Sequence, residues 1–169
     1  MIIQTATDNN PSQINTEHEY ILCFAKDKSK QEKWSIKSDN AQKIITEYEK
    51  LKTKNLSIEE IQKKLREWIK QHKDELDRVE HYNCVDEKGI YTANTNSSNT
   101  KPGGYTYDII HPKTQRPCAK PDFGWRWTEE TFLNYANNGE VEWGIDETTQ
   151  PHIKKRIETV SDSLKSVIY

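Results

Sequence analysis

Residues 103–144 read GGYTYDIIHPKTQRPCAKPDFGWRWTEETFLNYANNGEVEWG. Short extended pieces alternate there with turn formers, the pattern of a small, mostly antiparallel sheet. Residues 105–110, 124–127 and 140–143 read as strands, and residues 89–92 join them from upstream. Lys88-Gly89, Pro102-Gly103-Gly104 and Asn138-Gly139 read as the turns between. One short helix interrupts the pattern at Thr128, whose side chain caps it, while Glu129 and Glu130 favour the positive end of its dipole. All six glycines fall between Gly89 and Gly144, and ten of the sixteen aromatics between Tyr82 and Trp143. From Lys101 to Arg126 there are Lys101, Lys113, Arg116, Lys120 and Arg126 against only Asp108 and Asp122, a local net of +3. Aromatic faces, cationic forks and loops punctuated by Gly and Pro are the ingredients of a nucleic-acid-reading surface. They are equally the ingredients of a Trp-rich core, and composition does not separate the two.

Upstream the pattern becomes helical. Residues 38–54 read as a helix with Ser38 at its N-cap and Ala41, Ile44, Ile45, Tyr48 and Leu51 along one stripe. Residues 57–79 read as a longer one, opened by a capping box of Ser57 and Glu60 and striped by Ile58, Ile61, Leu65, Trp68, Ile69, Leu76 and Val79. Ten basic and ten acidic residues between Ser38 and Glu80 cancel, so this hairpin presents a solvated face and not a charged DNA grip. A strand is expected at about 18–26, where Tyr20, Leu22 and Phe24 alternate with Ile21, Cys23 and Ala25 and both faces are apolar. Residues 93–100 (ANTNSSNT) read as a mobile polar loop. After Pro151, His152, Lys154, Lys155 and Arg156 lead into a final amphipathic segment. The predicted fold is α+β: a helical hairpin at 35–80, a small sheet region at 81–169, and an N-terminal segment, 1–34, holding the lone strand.

At 169 residues, with 33% hydrophobic and 31% charged, the chain suits one polar domain with a modest core. A mean hydropathy of −1.03 approaches the disordered range, but five tryptophans and eight tyrosines argue for a packed body. The net charge of −2 confines any nucleic-acid role to a local patch. No apolar run approaches the roughly 20 residues of a membrane span. The start, MIIQTATDNNPSQ, lacks a signal-peptide pattern, so a cytoplasmic location is expected. Cys23, Cys84 and Cys118 are odd in number and widely spaced, which speaks against a zinc cluster and a disulfide framework.

Three stretches in order carry a resemblance: TDNNPSQINTEHEYILCFAK, then HYNCVDEKGIY, then GGYTYDIIHP…GWRWTEETF…GEVEWG…TQPHIKKR. Together they resemble the central part of the beta-class adenine-N6 DNA methyltransferases of restriction–modification systems, particularly type III modification subunits. The resemblance implies that Glu19-Tyr20-Ile21-Leu22 belongs to a late strand of a methyltransferase core and that the region after it recognises target DNA. The family's catalytic Asp/Asn-Pro-Pro-Tyr is absent, since Asn9-Asn10-Pro11-Ser12 has one proline and no aromatic. Its Phe-x-Gly-x-Gly turn for S-adenosylmethionine is absent too, since Gly103-Gly104 follows no buried strand. The expectation is a recognition fragment, inactive alone, with no catalytic residue, metal or cofactor of its own. S-adenosylmethionine would belong to the intact parent. The implied partners are double-stranded DNA, the rest of the methyltransferase, and a restriction subunit or second copy.

Candidate DNA contacts are Lys101, Tyr105, Tyr107, His111, Lys113, Arg116, Lys120, Arg126, Lys154, Lys155 and Arg156. In a strand, Trp125 and Trp127 share one face and suit a core, while Arg126 points the other way with a fork fitted to phosphate or a guanine edge. Prolines in His111-Pro112-Lys113-Thr114-Gln115-Arg116-Pro117 hold a basic loop at low entropic cost. Lys154-Lys155-Arg156 suits phosphates, or simply a solvated helix face. Two rivals stand beside DNA recognition. One is a protein–protein module in which residues 38–80 dock a subunit. The other is that the isolated piece binds nothing measurable, because neighbouring domains complete its surface. An acid–base or metal site drawn from His81, Asp86, Asp108 and His111 is a further rival, which no HxH or HxxxH spacing supports.

Overall fold

The computed structural model of the protein describes residues 2–4, 18–20, 24, 26–31, 35–163 and 167–168. In chain order the elements are β1 (Ile2–Gln4), β2 (His18–Tyr20), β3 (Ser35–Lys37), α1 (Asp39–Lys52), α2 (Ile58–Gln71), β4 (Cys84–Asp86) and β5 (Gly89–Asn96). There follow α3 (Glu129–Asn137), β6 (Val141–Glu142), β7 (His152–Arg156), β8 (Ser161–Ser163) and β9 (Val167–Ile168). The fold class is α+β, as expected. Two compact units emerge: Met1–Ser38 with Ser161–Tyr169, and Asp39–Val160. Among the described residues no helix is long and apolar enough to cross a membrane.

In the first unit β1 lies between β2, antiparallel, and β9, parallel, while β3 pairs antiparallel with β8. The strand expected at about 18–26 is seen at His18–Tyr20. Ile21, Leu22, Cys23 and Ala25 lie outside the described residues, as do Asn9-Asn10-Pro11-Ser12. Phe24 departs from the doubly buried strand: it is 90% exposed. The chain turns soon after it, where the Asp27 carboxylate accepts the Ser29 amide at 3.0 Å and caps a 3₁₀ turn at Lys28–Lys30.

The second unit opens with the helical hairpin. Ser57 and Glu60 form the expected reciprocal capping box on α2, satisfying amides that helix geometry leaves unpaired. The second helix is shorter than its stripe implied and ends at Gln71, where the His72 ring stacks on Trp68 with centroids 4.4 Å apart. Leu76 and Val79 are nevertheless buried. Successive turns from Lys73 to Leu76, Leu76 to Val79 and Val79 to Tyr82 keep a spacing of three after α-helix has stopped. These residues join Ala41, Ile44, Tyr48, Leu51, Ile61, Leu65, Ile69, Val85, Ile90 and Ile157 in one core.

The central sheet has the order β4-β5-β7-β6, antiparallel throughout. It corrects two expectations. Residues 93–96 belong to β5, with a register shift between Thr92 and Thr95, and are not a mobile loop. Ser97 beyond them is buried and donates its hydroxyl to the Pro151 carbonyl. The basic run after Pro151 is β7 and not a helix face. Between β5 and α3 the chain makes isolated bridges only, Ser98 and Tyr105 each with Trp125, and Ile110 with Pro117. Pro112, Pro117 and Pro121 donate no amide, which keeps residues 105–127 from extending into full ladders. A second core gathers here from Ile109, Cys118, Trp125, Phe132, Val141 and Ile153.

Leu65 is fully buried in the hairpin core. Leu65→Ala should lower unfolding stability by about 2–5 kcal/mol, and Ser57→Ala by about 1 kcal/mol, in urea titrations followed by circular dichroism. Loss of less than about 1 kcal/mol for Leu65→Ala would contradict the packing described.

Candidate nucleic-acid interface

Trp125 anchors the basic region. Its ring is 1% exposed, its indole N–H donates to the Tyr107 carbonyl at 2.9 Å, and its backbone exchanges two hydrogen bonds with Tyr105. Glycines on both segments permit this approach. A Cβ on Gly124 (φ +78°) would lie 2.7 Å from the Gly104 carbonyl carbon, and one on Gly104 would collide with Phe123 and Gly124 backbone. The next residue, Arg126, donates its amide to Ser97 at 2.8 Å and is exposed. Its guanidinium lies 5.6 Å from the Trp127 ring centre, a cation–π contact that leaves the N–H fork available. Trp127 is half-buried and meets Tyr135 edge-on at 6.1 Å. Tyr105 and Phe123 are about half exposed on the same segment.

The expected contacts divide into outward and inward groups. Lys101, Lys113, Lys155 and Arg126 are exposed, and none of them forms an ion pair among the described residues. Arg116 pairs with Glu147 at 3.2 Å and Lys120 with Asp108 at 2.8 Å. Both are exposed pairs of the kind that contributes at most about 1 kcal/mol, so a phosphate can replace the carboxylate. Tyr107 points inward: its hydroxyl donates to the Trp127 carbonyl at 3.0 Å, and burial, with the nearby Glu129 charge, pushes it up to about 12. His111 has no exposed surface and bonds only to backbone.

The run Lys154-Lys155-Arg156 splits by strand alternation. Lys155 faces solvent, whereas Lys154 and Arg156 turn to the other side, over the Tyr91 ring at 4.6 and 5.3 Å. Arg156 grips Asp86 with two N–H groups at 2.6 and 3.0 Å and Glu140 with its Nε at 2.8 Å. Lys154 donates to the other side of Asp86 at 2.8 Å, Lys88 to Glu140 at 3.0 Å, and Tyr91 to Glu142 at 2.8 Å. Three cations and three carboxylates therefore cancel. Burial pushes the Asp86 carboxyl up, but the hydrogen bonds and charges of Arg156 and Lys154 outweigh it and hold it at about 2. Glu140 is lowered by the same competition, won by Arg156 and Lys88. Tyr91 is raised, first by burial and then by its bond to Glu142. Lys154 and Arg156 are thus sheet struts, each committed to carboxylates of the cluster.

Sequence reasoning missed this cluster. Asp86 and Arg156 are 70 positions apart, and the basic run read as a phosphate contact or a solvated helix face carried no sign of the strand that splits it. The acid–base rival is not assembled. Asp86 is bound by two cations, Asp108 by Lys120, His111 is packed inside, and His81 lies against Tyr82 with ring centres 4.5 Å apart. No group of three His, Cys, Asp or Glu side chains able to hold a metal occurs among the described residues.

Over 170 aligned positions the chain is 32% identical to the Type III restriction-modification enzyme EcoP15I Mod subunit of Escherichia coli. The likeness covers the whole chain. It spans 26% of that subunit, so the chain corresponds to about a quarter of its relative's length. No protein-family model matches the chain. A relationship to a type III modification subunit, expected from the three sequence stretches, is therefore present from end to end.

Because Asp86 falls from the ordinary 3.8 to about 2 on folding, its contribution is complete above 3.8 and is lost as pH drops through about 2. Stability measured by urea unfolding should decline more steeply over that acid window for the wild-type chain than for Asp86→Asn. Equal acid slopes would contradict the ion cluster.

Proposed function

We propose that this chain is a DNA target-recognition segment of a type III restriction–modification adenine-N6 methyltransferase. In this reading the duplex lies against the segment from Lys101 to Arg126. Lys101, Lys113, Arg116, Lys120 and Lys155 contact phosphates, and Tyr105 packs against the backbone. Arg126 offers its bidentate fork to a guanine edge or a phosphate. The observation that carries the reading is Arg126: exposed, lacking a carboxylate partner among the described residues, and held between the buried Trp125 and the half-buried Trp127. A cation fixed on so rigid a base contacts DNA at a small entropic cost. The similarity of the whole chain to about a quarter of a type III modification subunit supports the same assignment.

Tyr107, His111, Lys154 and Arg156 have supporting roles, holding the strands and loops from which the other residues project. Gly104 offers S-adenosylmethionine no cradle. Gly104, which belongs to the glycine pair most like a cofactor turn, is filled against by the backbone of Phe123 and Gly124. In the proposal the methyl donor and the catalytic tetrapeptide belong to other parts of the parent enzyme. The remainder of that enzyme, a restriction subunit and a second modification subunit are the implied protein partners.

Fluorescence anisotropy with a labelled duplex, repeated from low to physiological salt, tests the reading. Arg126→Ala should weaken binding by about 1–3 kcal/mol if it reads a base. Replacing Lys113 and Arg116 together by Ala should reduce the slope of log affinity against log salt by roughly 2. Binding that is indifferent to all three positions would overturn the proposal.

A further inference from the structure

Among the described residues His111 is the one imidazole with no exposed surface, and every hydrogen bond it makes goes to backbone. Its Nδ1 accepts from the amides of both Lys113 and Thr114, at 3.3 Å each. Those two groups are obligate donors, so Nδ1 carries no proton and the ring hydrogen sits on Nε2. Nε2 then donates to the Gly144 carbonyl at 3.1 Å, and the ring meets Trp143 edge-on at 5.8 Å. One side chain thereby fixes the start of the basic loop to the segment that follows β6.

The rest of the loop closes around it. The His111 amide donates to the Arg116 carbonyl at 2.8 Å, and the Gln115 amide returns to the His111 carbonyl at 2.9 Å. Gln115 accepts a left-handed backbone (φ 57°), which its side chain supports by donating to Pro112 O at 2.7 Å. Without the Nδ1 acceptor, two adjacent amides lose the one hydrogen-bond partner they have among the described residues. Lys113 carries one of those amides, and Arg116 closes the loop.

We infer that His111 is a positioning residue for DNA recognition: its neutral Nε2–H form organises loop 111–116 so that Lys113 and Arg116 are presented together to the phosphate backbone. The inference rests on the DNA reading above. It separates two jobs within one imidazole. Acceptance at Nδ1 shapes the loop, and donation from Nε2 ties it to Gly144. Asparagine does the first without the second, since its side-chain oxygen accepts amides two and three residues on, as in Asx turns.

The test compares the wild-type chain, His111→Ala, His111→Asn and the Lys113→Ala/Arg116→Ala double variant. Two measurements are made: amide hydrogen exchange at Lys113 and Thr114, and the salt slope of binding to a labelled duplex. His111→Ala should lose protection at both amides and reduce the slope by roughly 2, matching the double variant although both cations are still present. His111→Asn should restore both readouts, which a change in general stability alone would not do. If His111→Ala leaves protection and slope as in wild type while the double variant lowers the slope, the positioning role is overturned and the DNA reading stands. If the double variant leaves the slope unchanged, the DNA reading falls and this inference falls with it.

Discussion

The guanidinium of Arg156 joins three strands that the chain order keeps apart. It projects from β7, takes both oxygens of Asp86 at the end of β4, and reaches Glu140 beside β6. A part-buried cation in this position is stable only if its carboxylates arrive in register, since leaving one charge unpaired costs more than the pair contributes. That requirement fixes which residues face which core. Val85, Ile90 and Ile157 are delivered to the helical hairpin, and Val141 and Ile153 to the aromatic cluster around Trp125. Both halves of the second unit hang on the same sheet.

The cluster also decides where positive charge remains. Lys88, Lys154 and Arg156 are neutralised by Asp86, Glu140 and Glu142, so this cluster contributes no net charge. The basic character of the unit is then concentrated on Lys101, Lys113, Arg116, Lys120, Arg126 and Lys155, which sit on turns, on the bridged segment at Trp125 and on the outer side of β7. These segments are short and tied down. Asn99 bonds to Gly124, Arg126 to Ser97, Cys118 to Ile109 and Ala119 to Glu147 through the backbone. Loops held in this way present side chains with little ordering left to do on binding.

Much of the local structure was legible because its causes are local. The capping box at Ser57, the hairpin stripes, the Thr128 cap and the glycine turns depend on residues within about a turn of each other. Trp125 as core was legible too, although the strand expected at 124–127 is reduced to isolated bridges with Ser98 and Tyr105. What escaped was set by partners far away in sequence. Residues 93–96 looked like a polar loop because Asn, Thr and Ala there give no apolar signal, yet pairing with β7 makes them strand. Lys154 and Arg156 looked like free cations because their carboxylates come from β4 and the α3–β6 turn. His111 looked like a surface contact because a histidine in a Pro-rich basic loop gives no hint that two amides will turn toward it. Phe24 went the other way, read as buried and found exposed.

In the proposed reading DNA meets the Trp125 segment and its loops and not the helical hairpin. Hydrogen–deuterium exchange of the chain, with and without a mixed-sequence duplex at low salt, tests it most directly. Duplex-dependent protection is expected in residues 97–126, with residues 39–71 unchanged. Protection confined to the hairpin, or none at a duplex concentration that saturates binding, would contradict it.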